Sequence, residues 1–192
     1  MALQRLTIDG YGQLEINAFV APRAGKVEAQ CKLNETDFAD EPAEVGMLLA
    51  VDNINRRVKL PVAGEAYPIA INYSAEILYD DAKKGLKNFA QQTKDFMPRM
   101  GYLTVGDKFH TNTVCYDNAE FKDDETLKAA LKKETLKTAP VYGCACELGA
   151  IKLTKTAPEE GPVFMVACES TMPDGQYAVK LHCIKESLGG YV

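Results

Sequence analysis

The chain is poor in the residues that usually carry chemistry. It holds only two histidines, His110 and His182, among 192 residues. Basic residues never run beyond pairs such as Arg56-Arg57, Lys83-Lys84 and Lys132-Lys133, and the net charge is -5. Too little positive charge is present, and the balance has the wrong sign, for a nucleic-acid footprint. No apolar stretch approaches the roughly 20 residues that span a bilayer. The first residues, MALQRLTIDG, contain no apolar h-region and reach Asp9 early, so a secretory signal is not expected. Nucleotide fingerprints are missing: Gly10-Tyr11-Gly12 lacks the rest of a dinucleotide motif, and Gly25-Lys26 lacks a phosphate loop. There is no G-x-S-x-G elbow, H-E-x-x-H helix or calcium loop. Catalytic, cofactor-binding and metal residues are therefore all expected to be none, and no DNA, RNA or membrane partner is expected.

What is present is β patterning. Leu14, Ile16, Ala18 and Val20 alternate with polar residues, as do Val27, Ala29, Cys31 and Leu33, with Pro22 to Gly25 between them. Period-two alternation predicts a hairpin with one buried and one wet face. Phe19 breaks that pattern. After an acidic loop (34–44), Met47 to Val51 is continuously apolar, Asp52 to Asn55 supply turn residues, and Arg56 to Leu60 alternate: a second hairpin. Ile69 to Tyr73 reads as another strand. Helices are predicted near 80–93 and 123–137, each led by acidic residues (Asp80-Asp81; Asp123, Asp124, Glu125) that suit an N-terminus. Gly106-Asp107 reads as a turn between strands 102–105 and 109–116. Pro173 to Gln176 closes the clearest hairpin, between an apolar strand (163–168) and one that places Tyr177, Val179, Leu181 and Cys183 on one face. The fold class is mainly β (α+β), a small antiparallel barrel or sandwich with an N-terminal hairpin region and two short peripheral helices. A β-rich region over 1–78 and a barrel-like region over 79–192 are expected, either as two units or as one continuous unit.

Six cysteines, Cys31, Cys115, Cys144, Cys146, Cys168 and Cys183, sit mostly in apolar runs, which argues against a disulfide framework. Cys144 and Cys146 would share one face of a strand. A zinc site needs about four ligands, and Cys168 and Cys183 lie in separate strands at no recognised spacing, so core packing is the reading their positions favour. Each histidine is expected to be a surface or half-buried strand residue, since nothing in the sequence brings either to a cysteine. Asp107 and Asp174 read first as turn residues. Tyr102, Phe109, Tyr116, Tyr142 and Tyr177 could line the mouth of a barrel, because tyrosine joins an apolar face to a polar tip.

The stretch from Tyr102 onward, about half of the chain, resembles the small β-barrel proteins that decorate or cement the heads of tailed bacteriophages. The resemblance is carried by Val105-Gly106-Asp107-Lys108-Phe109, Tyr142-Gly143, Gly149-Ala150-Ile151-Lys152-Leu153 and Gly161-Pro162-Val163-Phe164. It implies a structural, non-enzymatic virion protein on the capsid exterior, made in the host cytoplasm. Its partners would be the major capsid protein and copies of itself in trimers, with no cofactor. A tail or baseplate component is the neighbouring idea. The reading from a different class is a β-barrel binding a small ligand or sugar, with or without enzymatic activity.

Overall fold

Short apolar runs broken every few residues by turn chemistry give short strands, and the computed structural model of the chain, which describes residues 2–74, 86–91, 95–159 and 161–186, is mainly β. In chain order the first strands are β1 (Leu3–Arg5), β2 (Leu14–Ala18), β3 (Val27–Glu28), β4 (Lys32–Leu33), β5 (Ala43–Glu44), β6 (Leu48–Asp52), β7 (Arg57–Lys59) and β8 (Ile69–Asn72). They are followed by β9 (Ala90–Gln91), β10 (Met100–Gly101), β11 (Lys108–Thr111), β12 (Val114–Asp117), β13 (Tyr142–Cys144), β14 (Ile151–Thr154), β15 (Val163–Thr171) and β16 (Tyr177–Lys185). Among the described residues three short α-helices accompany them: α1 (Ala21–Ala24), α2 (Asp124–Ala130) and α3 (Lys133–Leu136).

An eight-stranded sheet runs β1-β12-β14-β13-β15-β16-β11-β2, a six-stranded sheet runs β3-β10-β8-β6-β7-β4, and β5 pairs with β9. Pairing is antiparallel except for β12 with β14 and β4 with β7. Each large sheet takes strands from both sides of residue 79. β1 and β2 form the two ends of the eight-stranded sheet, and β10 joins the six-stranded one.

One core cluster joins the two sheets. Leu48, Ile69 and Ile71 of the six-stranded sheet pack with Phe109, Phe164, Val179 and Leu181 of the eight-stranded sheet, together with Leu127 of α2 and Leu131 at its C-terminal end. A second cluster, with Leu33, Leu49, Val51, Val58, Ala70 and Met100, is completed by Phe38 and Ala43. Leu48 thus faces one core while Leu49 and Val51 face the other, which accounts for the unbroken apolar run of β6.

Several expectations hold. The 52–55 turn joins β6 to β7, with Asp52 Oδ1 accepting from the backbone N–H of Ile54 and Asn55 at 3.0 and 2.9 Å. Pro173 to Gln176 joins β15 to β16, the longest pair. Asp123 caps α2 by accepting from Thr126 N at 2.8 Å, and Leu127 and Leu131 are fully buried.

Others are corrected. The expected hairpin over 14–33 does not form: β2 pairs with β11, β3 with β10 and β4 with β7. The proline-containing turn between them is instead the helical turn α1, with Pro22 in its first turn and Gly25 ending it at φ 68°. The apolar face expected of β2 is not buried, since Ile16 is 42% exposed. The helix placed at 123–137 is two segments, because Lys132 adopts extended backbone. The helix placed at 80–93 lies largely outside the described residues. Its described part holds a 3-10 turn, Leu86–Asn88, and the strand β9. Residues 102–105 form no strand, and the strand expected over 109–116 divides at Asn112-Thr113 into β11 and β12. Along β15, which begins with the continuous apolar run over 163–168, Met165 is nevertheless exposed.

Candidate functional site

Two regions of the surface combine side chains in a way that packing alone does not require. The first is the end of the molecule around Asp107. This carboxylate is 1% exposed. Its Oδ1 accepts from Val20 N at 2.9 Å and its Oδ2 from Thr104 N at 2.8 Å, while its backbone carbonyl accepts from Cys183 N at 2.9 Å. Asp107 is therefore more than the turn residue its position after Gly106 suggests: it ties α1, the 104–107 turn and β16 together. The segments it ties carry exposed apolar residues: Val20, Val105 in the 104–107 turn, and Ile184 next to Cys183. Val27 follows Lys26, whose backbone carbonyl takes Tyr102 N and whose Nζ donates to Thr104 Oγ1 at 3.1 Å. The same end leads into β2, the last strand of the eight-stranded sheet, with Ile16 exposed on it. An open strand edge presents unpaired backbone groups, and apolar side chains beside it supply a surface that another chain can bury.

The second region is a cleft of about 450 Å³ lined by Pro61, Glu65, Cys144, Cys146, Lys152 and Glu159, among others. Cys146 stands in the connection between β13 and β14. Its Sγ is 3.4 Å from Cys115 Sγ, on β12, and 3.2 Å from the Ala150 carbonyl oxygen. The hydrogen bond between the sulfurs pushes the Cys115 thiol up, with burial adding to it. The same bond pulls Cys146 down, against burial and with help from Leu148 N–H. Burial pushes Cys144 up to about 11. Cys183 is pushed up to about 12, also by burial, and lies in the main core. The partner of Cys146 is thus Cys115, which the i, i+2 spacing of Cys144 and Cys146 could not reveal. Among the described residues no three His, Cys, Asp or Glu side chains are grouped so as to hold a metal ion.

The histidines fall on the eight-stranded sheet. His110 Nδ1 is 2.8 Å from Ser170 Oγ and 4.0 Å from Glu15 Oε2. A hydroxyl-activating histidine takes the serine on one ring nitrogen and the acid on the other. Here both face Nδ1, while buried Nε2 has no hydrogen-bond partner among the described residues. Burial, then Lys180, pulls His110 below its ordinary value against the opposing pull of Glu15, and burial, then Lys108 and Lys180, does the same to His182.

The aromatic residues expected at a barrel mouth are not brought together at the cleft. Phe109 and Tyr116 are buried, Phe109 edge-on to Phe164 and Tyr116 donating to Asp124 Oδ1 at 2.7 Å. Lys128 lies over the Tyr177 ring, and Tyr142 pairs with Thr154 and Met165 in the sheet. Asp123 caps α2, as its place at a helix start suggested; Asp124 lies in the first turn, but its carboxylate accepts from Tyr116 and Thr7, and Asp174 Oδ2 accepts from Gln13 and Gln176. Asp80 and Asp81 lie outside the described residues. Comparison with protein-family models, with curated proteins and with solved structures finds no match for this chain.

Proposed function

We propose that the protein is a structural component of a tailed-bacteriophage virion, a decoration or cement protein that binds the capsid lattice and holds it against internal pressure. The observation that carries this reading is the set of exposed apolar residues Val20, Val105 and Ile184 on the segments that meet at buried Asp107, together with exposed Ile16 on β2, the last strand of its sheet among the described residues. Such residues suit docking against the major capsid protein or a neighbouring copy of the same chain, with strand addition along β2 as one mode. Each contact is small, and a lattice multiplies it through avidity. A net charge of -5 disfavours adhesion to packaged nucleic acid. The fold behind this reading is a two-sheet sandwich. The core shared by Leu48 and Ile71 on one side and Phe109 and Leu181 on the other supports it.

The test is co-sedimentation of the protein with empty, expanded phage heads, followed by electron microscopy. An ordered coat is expected on the shells, and Ile16→Lys with Val105→Asp should weaken its binding about tenfold or more. Shells that stay bare, or virions that lack the protein in stoichiometric amount, would overturn the proposal. The cleft at Cys146 favours a second reading, capture of a small ligand. A saturable rise in melting temperature with a metabolite, in a protein that ignores shells, would establish it.

A further inference from the structure

We infer that Cys115 and Cys146 form a redox-active dithiol, reached through the cleft and oxidised to a disulfide by small disulfides of the glutathione class. The argument begins with position. Cys115 is fixed in β12 between β1 and β14, whereas Cys146 sits in a connection outside the ladders. The two sulfurs are 3.4 Å apart and not bonded to each other. A disulfide bond is about 2.05 Å long, so closure asks for an approach of only about 1.4 Å, which the connection rather than the strand can supply. Their separation of 31 positions in the chain is spanned by a tertiary contact, so the pair is invisible to any local spacing rule.

The two thiols are not equivalent. Cys115 is fully buried, whereas Cys146, 8% exposed, lines the cleft. Arg5 stands opposite Cys115 in the β1–β12 register, its guanidinium paired with Glu44. Attack therefore begins at Cys146: its thiolate displaces one glutathione thiolate from the oxidant and forms a mixed disulfide. Cys115 then attacks the Cys146 sulfur and expels the second glutathione thiolate. Two protein thiols lose two electrons to the sulfur–sulfur bond of the oxidant, and their two protons finish on two glutathione thiols. The connection carrying Cys146 also touches the other sheet. The Gly149 carbonyl accepts from Leu48 N at 2.8 Å, and a Cβ added at Gly149 would fall 3.0 to 3.3 Å from Leu60, Met47 and Leu49. Oxidation would therefore fasten the junction between the sheets. This inference stands apart from the lattice reading, since it needs no capsid.

The experiment exposes the purified full chain to oxidised glutathione and maps the products by mass spectrometry after digestion. The expected result is a protein lighter by two hydrogens, four titratable thiols where the reduced chain has six, a Cys115–Cys146 linked peptide, and a raised melting temperature. Cys144→Ser should form the same link. Cys115→Ala should stop at a glutathione adduct on Cys146, and Cys146→Ser should give neither product. Six thiols remaining in the wild-type chain, a Cys144–Cys146 link, or a lasting adduct without a link would each overturn the inference. These wild-type outcomes decide it even if a variant fails to fold.

Discussion

Gly101 shows how a single residue serves the packing of another. A Cβ built there would fall 2.2 Å from Phe19 Cζ, and the Phe19 ring is also held edge-on to Tyr73 at 5.5 Å. Gly101→Ala should therefore destabilise the protein by about 2 kcal/mol, measured by urea denaturation, and Phe19→Leu in the same chain should recover part of the loss. The role of Phe19 was half legible: it breaks the alternation of its neighbours, and the physical reason is that it leaves the sheet face to fill the core. The role of Asp107 was not. After a glycine it reads as a turn residue, and only the folded chain brings the N–H groups of Val20 and Thr104 to its carboxylate.

At the scale of elements, β1 depends on a charge pair. Arg5 donates through both terminal nitrogens to Glu44 on β5, and Glu44 Oε2 also accepts from Gly12 N at 2.6 Å. Glu44 is only 7% exposed, so Arg5→Met leaves a buried carboxylate with Gly12 N as its single donor among the described residues and should cost about 3 kcal/mol. The double change Arg5→Met with Glu44→Gln should cost less than Arg5→Met alone, and a double-mutant cycle from thermal or urea unfolding measures the difference. Strands whose turn is local were readable: β6–β7 and β15–β16 follow from Asp52 to Asn55 and from Pro173 to Gln176. Strands paired at long range were not. The alternation of β2 named a strand correctly and its partner wrongly, because period two reports a face and says nothing of which sheet the strand joins.

At the scale of the molecule, stability should fall with acid in two steps. His110, facing Glu15, Ser170 and Lys180, and His182, facing Lys108 and Lys180, both bind protons less readily folded than unfolded. Their contribution is complete above the unfolded value of about 6.5 and is lost as pH falls through their lower folded values. Asp52 and Asp124 are pushed up by burial, but the hydrogen bonds they accept outweigh it and hold both below the ordinary range. Their contribution is lost below about pH 4. Melting temperatures followed downward from neutral pH should show both declines, and His110→Asn with His182→Asn should flatten the upper one.

Local pattern along the chain is enough to make it mainly β, to place its local turns and to mark the residues that begin α2. These are set by period, by turn chemistry and by capping within a few residues of one another. Tertiary structure decided that β2 and β11 share an edge, that Ile16 and Val105 stay exposed, and that Cys115 meets Cys146. Those facts depend on which distant segments pair, and pairing is settled by the total apolar area two sheets can bury together, a quantity no short window of residues contains.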